Sequence, residues 1–328
     1  MATKLKLSLA CWDYDRTRAI VDGRVQVDGI DLIYHPLVVE ETFFRMLRYR
    51  EFDACEMSLS SYCRSKFLDD PFIAIPVFPS RAFRHGFIFV SEQSGIVEPK
   101  DLIGKRVGCP EYQLTAPVWI RGILQDEYGV PVDSPHYLIG GEEEPGRTEK
   151  LVLDLPPSFH VEPIGPADTL AEMLASGRID AMYSARVPST LGTRGVRRLF
   201  PDVVGTERAY YQKTKLFPIM HVLVIRRDVY AANRWIAQAL YKAFVQAQRI
   251  AYRDLAENAA LKTMLPWVNW ELAATRALMG DDYWAYGFEP NRHVLDTFTR
   301  YSLEQGLSKR KLDPEELFAP ETLEAFKI

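Results

Sequence analysis

The chain has 328 residues, of which 47% are hydrophobic and 26% are charged, and its formal net charge is -4. This length is comfortable for two α/β lobes, and the composition is that of an ordinary globular protein, so long disordered stretches are not expected. The mildly acidic balance argues against general nucleic-acid binding, which usually requires a basic face.

The N-terminal segment does not have the pattern of an export signal. The apolar run that ends at Cys11 is too short for a signal-peptide core, and the polar segment 12–16 follows it at once. No segment reaches the roughly 18 apolar residues that are needed to span a bilayer. The four cysteines have no CxxC spacing, which favours free thiols in a reducing compartment. We therefore expect a cytoplasmic protein that binds no membrane.

The first 110 residues alternate between strand and helix patterns. A helix is predicted for 40–49, where the aromatic and aliphatic residues have helical spacing. Strands are predicted for the apolar or alternating segments 4–10, 30–34, 52–57, 72–77 and 87–90. This order of elements is typical of a parallel or mixed sheet with helices on its faces.

Helical patterns dominate the rest of the chain. The segment 115–128 is predicted to be a helix that ends at Gly129, and the segment 170–182 has a helix, a glycine C-cap and a strand. A strongly apolar strand is predicted for 221–225, and a long helix for 234–257. These elements indicate a second βαβ lobe, after which the chain returns to the first.

Two sequence motifs relate this order of strands and helices to a known class of proteins. DLIGKRVG at 101–108 and LAEMLASGRIDA at 170–181 together resemble type II periplasmic binding proteins. The resemblance implies a two-lobed α/β clamshell in which each lobe is a mixed sheet flanked by helices. The predicted first lobe is discontinuous and comprises 1–111 and 218–328, the second comprises 112–217, and the ligand cleft is expected between them.

A second set of segments resembles an enzyme family. The resemblance is to 4,5-dihydroxyphthalate decarboxylases, and it rests on the segments YDRTRAI (14–20), DGRV (22–25), EMSLSSY (56–62), FPSRAFRH (78–85) and GGEEEPGR (140–147). That family is cytoplasmic, uses the binding-protein scaffold, and converts 4,5-dihydroxyphthalate to protocatechuate and CO2. The resemblance, and not composition or periodicity, implies that this chain is a carboxy-lyase acting on a small aromatic dicarboxylate.

Candidate substrate-binding residues lie where strands end, because clamshell sites form from loops at the carboxyl ends of strands and from helix N-termini. An arginine fork matches a carboxylate with two parallel hydrogen bonds. Arg18 matches the family's motif, so we favour it over Arg16, although a surface ion pair with Asp15 would explain it equally well. Ser58 and Ser60 open a helix after a strand, where their hydroxyls suit either an anion or a plain N-cap.

The segment 81–85 is the most informative cluster in the sequence. Arg81, Arg84 and His85 lie between two apolar strands, where charged groups are costly to bury without a role. Two arginines would suit a dianionic ortho-dicarboxylate, and a solvated loop is the alternative. Glu111 and Thr115 lie at the predicted first crossing between lobes, where Thr115 would cap its helix and also hydrogen-bond a carboxylate.

Three further candidates come from the second lobe and the return crossing. Arg147 and Arg186 are candidate substrate-binding residues, and His221 is a candidate catalytic residue, although a histidine before an apolar strand is more often a satisfied core residue. For the reaction we assign His85 or Glu111 as the proton donor and His221 as the partner of the phenol hydroxyl. Arg18, Arg81 and Arg84 are then the carboxylate holders.

The sequence shows no cofactor motif. The six histidines have no HxH, HExxH or HxxxH spacing, and no GxGxxG, P-loop or GxSxG is present. We therefore expect no metal and no cofactor, although spacing leaves open a metal site that is assembled in space. The sequence also leaves open a non-catalytic small-anion-binding protein (a cytoplasmic sensor or a transport receptor), an enzyme for another small acid, and self-association into a homo-oligomer.

Overall fold

The computed structural model of the protein describes residues 3–324. The strands are β1 (Leu5–Ala10), β2 (Ile30–His35), β3 (Ala54–Ser58), β4 (Phe72–Ile75), β5 (Ile88–Ser91), β6 (Arg106–Cys109), β7 (His136–Ile139), β8 (Val161–Pro163), β9 (Ala181–Tyr183), β10 (Val196–Arg198) and β11 (His221–Arg226). The helices are α1 (Asp15–Val21), α2 (Val39–Tyr49), α3 (Leu59–Ser65), α4 (Thr115–Tyr128), α5 (Leu170–Ala175), α6 (Val203–Thr214), α7 (Arg227–Ala232), α8 (Trp235–Ala256), α9 (Val268–Met279) and α10 (Arg292–Glu304).

The chain divides into two compact units. Unit one comprises the residues up to Arg81, His221–Leu295 and the residues from Asp313 on, and unit two comprises Ala82–Met220 and Asp296–Leu312. The sequence predicts that 82–111 and 296–312 belong to the first lobe, whereas here they belong to unit two. The reason for 82–111 is hydrogen bonding across the sheet, since β5 and β6 both pair with β9. The ends of the predicted first lobe, 1–2 and 325–328, lie outside the described residues.

Unit one is built on a five-stranded mixed sheet with the order β2-β1-β3-β11-β4. β1 runs parallel to β2 and β3, whereas β11 is antiparallel to both β3 and β4. Every side chain of β3 is buried, which is typical of a central strand that is covered on both faces. The register places His221 opposite Ser58 and Leu223 opposite Glu56, so Glu56 and His221 come to the same end of neighbouring strands.

Unit two is built on a six-stranded mixed sheet with the order β10-β5-β9-β6-β7-β8. The strands β9, β6, β7 and β8 run parallel to one another, whereas β5 is antiparallel to both β9 and β10. Helix α4 has the bounds that the sequence predicts and ends at Gly129, which has a left-handed backbone with φ of 68°. Gly177 likewise has φ of 72° after α5, so the predicted glycine caps are confirmed.

Across residues 3–324, none of the helices has both the length and the apolar composition that a bilayer crossing requires. The long helix α8 instead turns one face into the core of unit one, where Ile236, Leu240 and Phe244 are buried.

Candidate functional site

A buried carboxylate, Glu56, organises the polar end of the sheet in unit one. Glu56 is fully buried, and its Oε1 lies 2.5 Å from Nδ1 of His221. The Tyr14 hydroxyl donates to the same oxygen at 2.6 Å. The second oxygen, Oε2, accepts the Trp12 backbone N–H at 3.1 Å and lies 3.5 Å from Sγ of Cys11. Glu56 therefore holds four groups from two other segments of the chain.

The sheet topology explains why these residues meet. β1 and β3 are parallel neighbours, so the segment after β1 and the carboxyl end of β3 lie at the same edge of the sheet. β11 is antiparallel to β3, so its first residue, His221, reaches that edge from the opposite direction. Residues that are far apart in sequence are thereby brought within hydrogen-bond distance of Glu56.

The charge of Glu56 fixes the orientation of His221. Burial by itself would raise the pKa of Glu56, but the neighbouring His221, together with hydrogen bonds from His221, Tyr14 and the Trp12 amide, holds that pKa below its ordinary value. An ionised Glu56 accepts from Nδ1–H, which leaves Nε2 as the atom that exchanges protons. No residue within 3–324 hydrogen-bonds to Nε2. The pair therefore has the arrangement of an oriented general acid–base.

The Tyr14 hydroxyl and the Cys11 thiol beside Glu56 act as proton-bearing donors. Burial first, and then the charge of Glu56, raises the pKa of the Cys11 thiol and of the Tyr14 hydroxyl above their ordinary values. Both groups therefore stay protonated near neutral pH. The Phe43 and His221 rings are nearly perpendicular, with their centroids 4.9 Å apart, and this packing restrains the imidazole.

The two arginines of α1 have different surroundings. Arg18, the residue favoured from the sequence, is exposed, and its Nε lies 2.5 Å from Asp13 rather than pairing with Asp15. Arg16 is half-buried, and its guanidinium carbon lies 4.1 Å from the centroid of the Tyr14 ring. Residues two apart on a helix point in nearly opposite directions, so only one of the two arginines contacts the Glu56 cluster through Tyr14.

The remaining candidates of unit one are buried near β3 and β4. Nη2 of Arg81 donates to the Ala285 carbonyl at 2.9 Å and also to Oδ1 of Asn291. These bonds tie Arg81 to the segment before α10. Ser58 and Ser60 are both buried, and the Ser58 side chain makes no capping hydrogen bond to α3, so the plain N-cap interpretation does not describe it.

Arg84 and His85 are enclosed within unit two. Nε of Arg84 lies 3.1 Å from Sδ of Met220, and burial lowers the pKa of Arg84 to about 10 against an opposing effect of Glu207. Burial also lowers the pKa of His85 to about 4, so its ring is neutral at pH 7. Within residues 3–324 neither ring nitrogen of His85 has a hydrogen-bond partner. This environment does not suit the proton-donor role that is predicted for His85 from the sequence.

The His85 ring is surrounded by aromatic side chains. The centroid distances to the three rings are 5.0 Å, 5.3 Å and 6.1 Å, for Tyr210, Phe200 and Tyr128 respectively. Their contacts are edge-on or tilted, as is usual for aromatic packing in a core. His85 therefore serves as a packed core residue in this structure.

Glu111 is the buried acid of a second polar cluster, which lies in unit two. Arg147 donates to its Oε1 through Nε at 3.0 Å and Nη2 at 2.7 Å, and Lys150 contacts the same oxygen. Gln113 donates to Oε2 at 2.9 Å. Burial first, and then the charge of Glu111, raises the pKa of the neighbouring Glu149 to about 7. Glu111 and Arg147, both named from the sequence, are thus brought together as an ion pair.

A cavity of about 650 Å³ lies beside this cluster in unit two. Arg147, Glu149 and Lys150 form its polar wall, and Leu151 and Phe159 contribute to its apolar side. Such a mixture of apolar walls and a few polar groups is typical of sites for small organic molecules.

The last two sequence candidates lie at separate positions in unit two. Thr115 is buried and begins α4. Arg186 is exposed, and its backbone N–H donates to Oγ of Ser184 at 3.0 Å. Ser184 in turn donates to Glu142, whose pKa is raised by burial. No group of three His, Cys, Asp or Glu residues in the described part of the chain is placed to hold a metal ion.

Sequence reasoning did not name Glu56, Tyr14 or Arg16 as site residues. Glu56 carried a usable signal, since a carboxylate inside an apolar strand must have partners to be buried. Tyr14 and Arg16 lay in a segment that was recognised, but their roles depend on the phase of α1, which the sequence does not fix.

Comparison with known proteins gives the chain its family. No protein-family model matches it. A 4,5-dihydroxyphthalate decarboxylase of Comamonas testosteroni is 44% identical over 329 residues, which is 99% of this chain and 100% of that protein. A 4,5-dihydroxyphthalate decarboxylase of Pseudomonas putida is 46% identical over 212 residues, which is 64% of this chain and 82% of that protein.

Solved structures with the same fold are far more distant in sequence. A periplasmic sulfonate-binding protein, SsuA, of Methylobacillus flagellatus has a TM-score of 0.51 at 13% identity, covering 97% of this chain and 92% of its own. The aliphatic sulphonate-binding SsuA of Escherichia coli also has a TM-score of 0.51 at 13% identity, covering 97% and 99%. These likenesses confirm the predicted periplasmic-binding-protein fold. The full-length identity goes further: the chain belongs to the 4,5-dihydroxyphthalate decarboxylase family.

Proposed function

We propose that this protein decarboxylates 4,5-dihydroxyphthalate, without oxidation, to 3,4-dihydroxybenzoate (protocatechuate) and CO2. The observation that carries the proposal is the 44% identity, over the whole of both chains, to a protein named for this substrate. The buried Glu56–His221 pair supplies an oriented acid–base group for the chemistry.

The substrate itself provides the electron sink. One hydroxyl lies para to the departing carboxylate, so loss of the hydroxyl proton and addition of a proton to the ring carbon that bears the carboxylate give a dienone. The carbon–carboxylate bond then breaks, its electron pair restores the aromatic ring, and the ring oxygen takes a proton back. The protein must provide a base for the hydroxyl, an acid that delivers a proton from solvent to the ring carbon, and a pocket that holds the ring.

His221 is the group that we assign to the hydroxyl. Glu56 accepts from Nδ1, so Nε2 is available to take the proton of the phenol and to return it after CO2 leaves. Glu56 does not touch substrate in this scheme and acts as a positioning residue. A positioned acid–base group of this kind contributes about 10²- to 10⁴-fold to the rate.

A panel of substrates tests the proposed reaction. We expect CO2 release from 4,5-dihydroxyphthalate and, more slowly, from 4-hydroxyphthalate, because both have a hydroxyl para to a carboxylate. Phthalate and 3-hydroxyphthalate lack that hydroxyl and should bind without turnover. Release of CO2 is followed together with calorimetric binding of each compound. Binding of every member without CO2 release from any would instead indicate a small-anion-binding protein.

We also predict that turnover does not require a metal ion. The hydroxyl of the substrate already stabilises the charge that develops on the ring. Activity should therefore be unchanged after prolonged incubation with EDTA and desalting. Activity that disappears with the chelator and returns with one divalent ion would contradict this prediction while leaving the substrate assignment intact.

A further inference from the structure

Arg16 lies between two aromatic rings. Its guanidinium carbon lies 4.1 Å from the centroid of the Tyr14 ring and 4.3 Å from the ring of Trp284. Trp284 is itself fixed, because its Nε1 donates to the Phe78 carbonyl at 3.0 Å. Stacking on aromatic faces leaves the edge of a guanidinium available for planar recognition of a carboxylate.

The hydrogen bonds of Arg16 leave Nη2 of the guanidinium available. Nε donates to the Pro79 carbonyl at 2.5 Å, and Nη1 lies 3.0 Å from Oδ1 of Asp15. Nη2 has no hydrogen-bond partner within residues 3–324. The side chain is only 17% exposed, so the group is held in place and partly desolvated, and its charge is partly offset by one acid. Charge-assisted bonds from such a group are stronger than those from a mobile surface side chain.

The same segment also reaches the acid–base pair. The Tyr14 ring stacks on Arg16 while its hydroxyl donates to Glu56 at 2.6 Å, and Glu56 holds His221 at 2.5 Å. Arg16 and His221 are therefore linked through one tyrosine and one glutamate. A ligand that is gripped by Arg16 is fixed relative to the imidazole by this rigid chain of contacts.

We propose that Arg16, and not Arg18, holds the carboxylate that the substrate keeps, in a subsite for aromatic ortho-dicarboxylates. The assignment rests on the proposed function for the identity of the substrate. A grip on the departing carboxylate would stabilise the ground state and slow its loss, whereas a grip on the retained one acts equally before and after CO2 leaves. Arg18 is exposed and its Nε is engaged by Asp13 at 2.5 Å, so it lacks this fixed geometry.

Binding of two non-reacting ligands tests the subsite without relying on turnover. Phthalate carries both carboxylates but no hydroxyl, and 3,4-dihydroxybenzoate carries only the retained carboxylate. Calorimetry with both ligands is carried out on the wild type, Arg16→Ala, Arg16→Gln, Arg18→Ala and Arg24→Ala. Arg24 is exposed and paired with Asp22 in the same region, so Arg24→Ala is the matched control for loss of one surface charge.

We expect Arg16→Ala and Arg16→Gln to weaken both ligands by roughly ten- to a hundredfold, the loss of a charge-assisted hydrogen bond. Arg18→Ala and Arg24→Ala should stay within about twofold of the wild type, as is usual for exposed charges. Arg16→Gln keeps an amide that can reach the Pro79 carbonyl, so it separates ligand binding from any loss of folding in Arg16→Ala.

Three results would overturn the proposal. Wild-type affinity in both Arg16 variants would make Arg16 a structural residue, and an equal loss in Arg18→Ala would restore Arg18 as a holder. Weakening of phthalate alone would mean that Arg16 grips the departing carboxylate. A wild type that shows the expected binding pattern but releases no CO2 would support the subsite while contradicting the proposed reaction, so the two failures are distinguishable.

Discussion

At the scale of single residues, the Glu56–His221 contact makes the sharpest chemical prediction. Glu56→Gln keeps the shape but removes the charge that orients the imidazole, so we expect kcat to fall about 10- to 100-fold, as for loss of other orienting partners. His221→Asn should lower kcat about 10²- to 10⁴-fold. Steady-state kinetics, with phthalate affinity as a check on the pocket, measure both effects.

The double variant separates positioning from a general structural role. If Glu56 acts only through His221, Glu56→Gln should cost little more in the His221→Asn background, because groups that act as a unit are not additive. Fully additive losses in kcat would show that Glu56 contributes by another route.

The burial of His85 leads to a prediction about the pH dependence of protein stability and not about the rate of the reaction. Burial lowers the pKa of His85 from 6.5 to about 4. Below pH 6.5 the unfolded chain takes up a proton at this position while the folded chain does not, so the free energy of unfolding falls as the pH falls toward 4. The slope from this one group reaches about 1.4 kcal/mol per pH unit.

His85→Phe should remove that contribution and keep the aromatic packing. Chemical denaturation of both proteins between pH 7 and pH 4 gives a difference curve that isolates it. Parallel curves for the wild type and His85→Phe would mean that His85 is protonated in the folded protein, and its assignment as a proton donor would then regain support.

The sequence indicated which kinds of residue the site contains, but it did not show which of two neighbouring candidates supplies each one. Arg16 and Arg18 are two apart on α1, and only the direction in which the helix faces decides which one meets the aromatic rings. That direction is fixed by packing against α8, which lies more than 200 residues later in the chain. Glu56 was within reach of sequence reasoning, because a charge inside an apolar strand requires partners.

At the scale of elements, Gly122 of α4 contacts Tyr301 of α10. The substitution Gly122→Ala should therefore have two opposing effects on the free energy of unfolding. Glycine inside a helix costs about 1 kcal/mol relative to alanine, so Gly122→Ala would ordinarily stabilise the protein. A Cβ at this position, however, would lie 2.2 Å from the Tyr301 ring. Overpacking costs about 1–3 kcal/mol, so we expect a net loss in the free energy of unfolding.

Truncation of the Tyr301 ring should turn the destabilising effect of Gly122→Ala into a stabilising one. In the Tyr301→Ala background the clash is absent, so adding Gly122→Ala should recover the helix-propensity gain, which denaturant titrations measure as a coupling between the two sites. The same destabilisation by Gly122→Ala in both backgrounds would show that the ring is not the obstacle.

Local sequence patterns predicted individual helices and strands well. The order of the strands in each sheet depends instead on pairing between segments that are far apart in the sequence. The glycine at 129 and the helical periodicity before it fixed α4 to the residue. The insertion of β11 between β3 and β4 brings together segments about 150 residues apart, and no local pattern specifies that neighbour. The assignment of β5 and β6 to unit two depends on the same kind of pairing.

At the scale of the whole molecule, the family membership and the organisation of unit one support the same proposed reaction. The full-length relationship to a decarboxylase identifies the family, and the sheet of unit one brings an oriented histidine and a stacked arginine to one edge. The order of elements and the two binding-protein motifs were sufficient to predict the fold class, because these signals are distributed along the chain. The reaction itself rests on a protonation of the ring that is coupled to loss of one carboxylate.

The most direct test is turnover of carboxyl-¹³C-labelled 4,5-dihydroxyphthalate in D2O, followed by ¹³C and ¹H NMR. We expect one labelled CO2 for each molecule of 3,4-dihydroxybenzoate, with a single deuterium at position 6, which is ortho to the retained carboxylate and para to a hydroxyl. The rate should fall in His221→Asn while phthalate still binds. Substrate that binds and remains intact would rule out the proposed decarboxylation, and product that carries no deuterium at position 6 would rule out protonation of the ring carbon that loses the carboxylate.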